Sequence, residues 1–235
     1  MSDYSYVGGE LELFAKARRW KHYLVKTVGR FIRGDVLEVG AGIGGTTRVF
    51  CSGQESSWTC LEPDEELAQQ MRTCFAMNPP PLEPSIRTEF VRDLGEETTF
   101  DTILYVDVLE HIEDDRKEMA ASSRLLRSGG HLIVIGPAHQ WLFSQFDVAV
   151  GHYRRYSCES LADTVPQPLR PTMLRYLDSL GIALSATNRL ILRSGSPSPR
   201  QIAFWDRVVV PISQYLDPLL AWRVGKSVVG VWKMP

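Results

Sequence analysis

The chain has 235 residues, 44% of them hydrophobic and 23% charged, with a formal net charge of −2. This length and composition predict one α/β domain with a substantial core, and the charge balance leaves no overall footprint for nucleic acid. No run of roughly eighteen apolar residues occurs, and Met1–Glu10 is polar without an apolar centre, so neither a membrane span nor a signal peptide is expected, and a cytoplasmic location is.

Leu11, Phe14, Ala17, Trp20, Leu24 and Val28 recur at helical spacing and predict an amphipathic helix over 10–31. Residues 16–33 carry seven basic residues and no acid (Lys16, Arg18, Arg19, Lys21, Lys26, Arg30 and Arg33). They are expected to form a solvated helix face, in preference to a phosphate or membrane-surface patch. A strand over 35–39 runs into glycines at 40, 42, 44 and 45, followed by a helix over 46–51. A second strand over 58–61 ends at Glu62-Pro63-Asp64, and a helix over 65–77 is stopped by Asn78 and three prolines. Further strands are predicted over 86–91, 102–106 and 131–135, with a helix to Leu126 capped by Asp114 or Asp115.

In the last hundred residues, 172–180 and 226–233 read as strands six and seven forming an antiparallel edge. Between them, 182–192 and 202–223 read as helices rich in large apolar side chains (Phe204, Trp205, Tyr215, Trp222). Ordinary core is the expectation there, with an acceptor wall or a dimer surface as the sharper alternative. The stretch 193–200 is linker-like but too short to divide the chain. Cys51, Cys60, Cys74 and Cys158 lack C-x-x-C spacing and read as small hydrophobes in reducing surroundings.

Strands alternating with helices argue for a doubly wound parallel sheet, whose ligand crevice lies at the carboxyl ends of the strands. That rule gathers Glu38, Gly40, Glu62, Asp93 and Asp107 at one rim. The glycine turn permits close approach of backbone N–H groups to a nucleotide-like ligand. It satisfies both G-x-G-x-x-G and G-x-G-x-G, so by itself it does not choose the nucleotide. Glu62 follows Gly40 by 22 residues, where a carboxylate can accept from both ribose hydroxyls of an adenosine. NAD and S-adenosylmethionine both carry that adenosine.

The segments Val36–Gly45, Glu62, Val91-Arg-Asp93-Leu94, Phe100–Ile112 and Leu125–Ile135 together resemble class I S-adenosylmethionine-dependent methyltransferases. Gly136-Pro-Ala-His139 through Asp147 to Gly151-His152-Tyr-Arg-Arg155-Tyr156 looks like a loop found in a subgroup of small bacterial members. The resemblance implies a Rossmann-like, seven-stranded, mostly parallel sheet with an antiparallel last strand. It divides the single domain into an N-terminal helical cap (1–33), a cofactor core (34–136), a lid or acceptor segment (137–165) and a helical insert (182–224).

For the cofactor, S-adenosylmethionine, the resemblance implies that Gly40, Ala41 and Gly42 lie against the methionine moiety, with Glu38 holding its ammonium. Glu62, beside Pro63, would hold the ribose, and Asp93 and Leu94 the adenine. Residues 107–111, Asp107 and Val108 among them, would sit beneath the sulfonium and the acceptor. An NAD site would instead need groups that neutralise a pyrophosphate, and the chain has no Tyr-x-x-x-Lys pair.

Because the methyl donor is already activated, the protein must supply alignment, desolvation and, for a hydroxyl acceptor, proton removal. His111, His139 and His152 are the candidate bases. Trp141 and Phe143 are expected to form the apolar underside of a lid, and Arg154, Arg155 and Tyr156 to offer donors to an acidic acceptor. An equal alternative for these donors is an arginine–acid lock with Asp147. The irregular spacing of His139, Asp147 and His152 does not call for a metal. The expected reaction is methylation of oxygen or nitrogen on a small molecule, for instance a natural product or a sugar-containing acceptor. Alternatives are a lipid-linked or membrane-associated acceptor, and a non-catalytic cofactor-binding sensor or scaffold. A homodimer is compatible with the sequence.

Overall fold

The computed structural model describes residue 6 and residues 11–95, 97–187 and 198–235. Its centre is a seven-stranded sheet in the order β3-β2-β1-β4-β5-β7-β6. The strands are β1 (Asp35–Val39), β2 (Ser57–Leu61), β3 (Ser85–Arg87), β4 (Phe100–Val106), β5 (Leu126–Pro137), β6 (Arg170–Leu177) and β7 (Ser227–Lys233). The first five run parallel, and β7 is antiparallel to both its neighbours. The expected mixed sheet is therefore present, although the edge is β6; β7 lies inside it, which explains why Ser227–Trp232 is buried throughout. Strand order reverses between β1 and β4, the place where an open α/β sheet offers a crevice.

Helices α1 (Leu11–Ala15) and α2 (Arg18–Val28) replace the single expected helix. The sequence at Lys16-Ala17 supplies no cap of its own. Instead the Asp206 carboxylate, far along the chain, accepts from the backbone N–H groups of Arg19 (3.3 Å) and Trp20 (2.9 Å) and starts α2 there. Of the seven basic residues six are exposed as expected, but Lys21 is buried.

Helix α3 (Thr47–Phe50) is a single turn after the glycine loop. Helix α4 (Glu65–Met77) has the expected bounds because Asp64 accepts from the N–H groups of Glu66 and Leu67. Helix α5 (Asp115–Arg124) is capped by Asp114. It ends two residues earlier than expected because Leu126 already pairs with Phe100, so Gly129-Gly130 lies within β5 rather than before it. Strand β3 is correspondingly shorter than expected, and Val91–Asp93 forms a 3-10 turn.

Two short helices, α6 (Gln145–Ala149) and α7 (Cys158–Ala162), follow β5. Residues 179–187 belong to helix α8 (Ser179–Thr187), so β6 stops three residues before its expected end. The remaining expected helix over 188–192, and the linker-like stretch up to 197, lie outside the described residues. Helix α9 (Pro199–Phe204) passes through a π turn (Trp205–Val209) into α10 (Val210–Leu219).

Two buried acids bind these C-terminal helices to the core. Asp217 accepts from Tyr23 Oη (2.8 Å) and from the N–H groups of Asp178 (2.7 Å) and Ser179 (2.9 Å). Asp178 accepts from Trp205 Nε1 (2.6 Å) and Ser213 Oγ (2.7 Å). Such satisfied buried networks fix the packing of elements that apolar contacts alone would allow to slide. All four cysteines are free thiols, and Cys51 and Cys60 are buried. No described helix is long and apolar enough to cross a membrane.

Candidate functional site

The turn after β1 needs its glycines. Gly40 (φ +64°) and Gly42 (φ +57°) adopt left-handed backbone, and a Cβ at Gly40 would stand 2.7 Å from a methyl of Val108. The turn is pinned to the end of β2 by Ala41 N–H to the Leu61 carbonyl (3.0 Å) and Gly42 N–H to Glu62 Oε2 (2.7 Å). Glu62 Oε1 also accepts from Asp64 N–H (3.0 Å), and burial pushes its pKa up to about 7. Each oxygen keeps a second lone pair, so two further donors can still be accepted.

Glu38 is turned inward, where Oε2 accepts from Thr47 Oγ1 (2.7 Å) and Trp58 Nε1 (2.9 Å). Burial raises its pKa to about 7 despite those bonds. Asp93 is half-exposed in its 3-10 turn and accepts from Phe90 N–H (3.0 Å); Leu94 beside it is buried.

Gly40, Ala41, Gly42 and Asp107 form one side of a cavity of about 860 Å³ that reaches under the glycine turn and across the ends of β4 and β5. This volume suits a cofactor and a small second ligand together. Glu38, Glu62, Pro63, Asp93, Leu94 and Val108 do not line it. Phe143 and, from the C-terminal helices, Leu184, Ile202 and Trp205 also line it. The insert thus supplies a wall; of the large side chains expected as core, Trp205 is buried, whereas Phe204 and Tyr215 are exposed because their helices turn them outward.

The segment after β5 is closed on itself by His139 N–H to the Tyr156 carbonyl (2.8 Å) and Tyr156 N–H to the Pro137 carbonyl (2.9 Å). At its centre Asp147 is fully buried. It accepts from Ser144 N–H (2.8 Å), His152 Nδ1 (2.9 Å), Arg155 Nε (2.8 Å) and Arg155 Nη2 (3.0 Å). Burial acts to raise the Asp147 pKa, but the His152 and Arg155 bonds outweigh it and hold the group well below the carboxylate range.

Of the two readings for Arg155, the acid lock is the one observed, although this residue also borders the cavity. Arg154 and Tyr156, expected to face an acceptor, instead turn to Asp115. Arg154 Nη1 stands 2.7 Å from that carboxylate, and the Tyr156 hydroxyl donates to it over 2.8 Å. Neither lines the cavity, nor does Trp141, which is exposed beside His139. These side chains hold the segment's shape. No sequence pattern distinguishes that duty from ligand contact, because both use the same donors.

The three histidines are divided. His139 stacks on Tyr176 with ring centroids 4.7 Å apart and does not line the cavity. His111 and His152 both do, and their rings meet edge to face at 4.5 Å. Burial first, and His152 second, press the His111 pKa down to about 4, so its imidazole is neutral at ordinary pH. Beside them stands Glu110, fully buried and lining the same cavity. Glu110 lies in the 107–111 stretch expected beneath the sulfonium and acceptor, but no spacing singles it out, because its burial comes with the 3-10 turn at Leu109–His111. Lys21 and Lys226 also reach the wall. Lys21, lowered to about 8 by burial, donates to the Phe14 carbonyl (3.1 Å), whereas Lys226 lies over the Trp205 ring. Neither position was marked by any motif.

Residues 37–134 match a family model described as a methyltransferase domain. A hybrid PKS-NRPS synthetase of Penicillium citrinum is 27% identical over 128 residues, which are 50% of this chain and 3% of that protein. The chain therefore spans a small fraction of that relative. Among solved structures, N-methyltransferase NodS of Bradyrhizobium japonicum, crystallised with S-adenosylhomocysteine, superposes with a TM-score of 0.59 at 13% identity. The match covers 94% of this chain and 88% of that one. An S-adenosylmethionine-dependent methyltransferase of Clostridium acetobutylicum gives 0.58 at 12% identity over 96% and 95%. One of Archaeoglobus fulgidus gives 0.60 at 12% over 95% and 97%. Residues 37–134 are thus similar to a methyltransferase domain, and the sheet has the fold of S-adenosylmethionine-dependent methyltransferases.

Proposed function

We propose that the protein transfers a methyl group from S-adenosylmethionine to an oxygen or nitrogen atom of a small-molecule acceptor. The observation that carries this reading is that the glycine turn of the methyltransferase segment and the His111–His152 floor open into one cavity. The cradle at Gly40, which a Cβ would fill, leaves bare backbone for the donor to lie against. When bound there, the cofactor supplies a methyl group already activated on a positive sulfonium.

Glu62 has lone pairs left for the ribose hydroxyls, and its carboxylate holds Gly42 in position at the same time. The Asp107 side of the wall favours positive charge nearby. Glu38 acts by stiffening the turn through Thr47 and Trp58, with any contact to the donor's ammonium made beyond them. The apolar wall of Phe143, Leu184, Ile202 and Trp205 excludes water and receives the acceptor's body. Where the acceptor is a hydroxyl, proton removal falls to the polar floor at Glu110, His111 and His152, since His139 faces elsewhere.

Calorimetry with S-adenosylhomocysteine, followed by incubation with S-adenosylmethionine and a panel of hydroxyl- and amine-bearing metabolites, tests the proposal. Saturable binding and product-inhibited formation of S-adenosylhomocysteine with one panel member are expected. Folded protein that binds neither form of the cofactor refutes it.

A further inference from the structure

The Glu110 carboxylate is fully buried, yet neither oxygen has a hydrogen-bond partner among the described residues. An unpaired buried carboxylate is costly, and a native site that keeps one calls for a missing counterpart. The backbone makes room for it: Gly136 in β5 is the position where any Cβ would come within 3.2 Å of Glu110 Oε2. The carboxylate thus occupies space reserved by a glycine on the neighbouring strand.

His152 completes the pattern. Its Nδ1 lies 2.9 Å from Asp147 Oδ1, so Asp147 fixes the tautomer with the proton on Nδ1 and leaves the lone pair on Nε2. That lone pair faces Glu110 Oε1 at 3.9 Å. The distance is too long for a hydrogen bond. It is only about 0.3–0.6 Å beyond the roughly 3.3–3.6 Å that two tetrahedral ligands subtend across one cation when each bond is about 2.0–2.2 Å. A carboxylate-oriented imidazole whose second nitrogen points at another donor is the arrangement that metal-binding histidines use. His111 supplies a third donor, and one ligating atom from each of Glu110, His111 and His152 lies within 4.8 Å of the others. A pair at the 4.8 Å limit must close by about 1.4 Å to meet the roughly 3.4 Å spacing of tetrahedral ligands.

We propose that Glu110, His111 and His152 bind one divalent first-row transition-metal cation in the floor of the cavity, with Asp147 orienting His152 from behind. Two imidazoles and one carboxylate favour zinc, cobalt or manganese over magnesium, which prefers oxygen donors only. Three protein ligands leave coordination positions open toward the cavity. An acceptor hydroxyl would occupy such a position and lose its proton more readily there. This use of the cation rests on the methyl-transfer reading, whereas its binding does not.

The test titrates chelator-treated full-length protein with Co²⁺, Zn²⁺, Mn²⁺ and Mg²⁺ by calorimetry, and reads Co²⁺ by its visible ligand-field spectrum. One equivalent of Co²⁺ or Zn²⁺ is expected, with magnesium weaker. Affinity should fall at least tenfold in Glu110→Gln and in His152→Ala, and remain unchanged in His22→Ala, whose ring is on the surface. Circular dichroism checks that each variant is folded. Should both site variants unfold, melting of the parent with Zn²⁺ against chelator decides: a rise supports the site and no change overturns it. Absence of stoichiometric binding by the parent, or equal affinity in folded Glu110→Gln, also overturns it. S-adenosylhomocysteine binding measured on the same sample reports separately on the methyl-transfer reading.

Discussion

Replacing Asp147 by alanine is the sharpest single perturbation of the segment after β5, which lines the cavity. The carboxylate is fully buried and receives two bonds from Arg155, one from His152 and one from the Ser144 backbone. Arg155 has a side-chain exposure of only 12%, so its guanidinium cannot simply turn to water once its partner is gone. Breaking a buried pair from one side costs about 3–5 kcal/mol, because the remaining charge stays desolvated. The lost bonds to His152 and Ser144 belong to the same network and should not be added in full.

Taking an m-value of about 2–3 kcal/mol/M in urea, the midpoint should fall by about 1–2 M with little change in slope. The double variant Asp147→Ala/Arg155→Ala should be less destabilised than the sum of the single variants, by about 1–3 kcal/mol. A single variant within about 1 kcal/mol of the parent, or strictly additive singles, would show that the segment is held by its backbone bonds and not by the acid.

Four further outcomes follow from the same geometry. The folded pKa of Asp147 is held below its ordinary 3.8, so the network's contribution is complete above that value and is lost as pH falls through it. The stability gap between parent and Asp147→Ala should therefore narrow in urea titrations below about pH 4, and a gap independent of pH would remove the ionised acid from the explanation. Burial sets Glu62 at about 7, and hydroxyl donors favour its charged form. S-adenosylhomocysteine affinity should then weaken by up to about tenfold per unit below pH 7 and level off above it. In Glu62→Ala most of the cofactor-induced thermal shift should disappear, and a full shift in the variant would exclude Glu62 from the ribose site. Gly40→Ala places a methyl 2.7 Å from Val108 in left-handed backbone, a conformation costing about 1–2 kcal/mol before any clash. Calorimetry should show cofactor affinity reduced at least tenfold, and unchanged binding would mean that the turn does not carry the cradle.

The sequence by itself determined the alternation of strands and helices, the glycine turn, and the bounds of α4. Each of these is decided by neighbours a few residues apart: a cap at Asp64, a stop at Asn78, glycine where φ is positive. Such local chemistry is visible as spacing. Tertiary structure alone decided where α2 begins, because its cap, Asp206, lies 187 residues from Arg19. It also decided that β7 enters the sheet between β5 and β6, and that Arg154 and Tyr156 serve Asp115 rather than the cavity. Glu110, His111 and His152 meet for the same reason: two come from a turn after β4 and one from the segment after β5. A donor's residue type is written in the chain, but the partner it meets depends on which distant element folds beside it, and spacing carries no record of that.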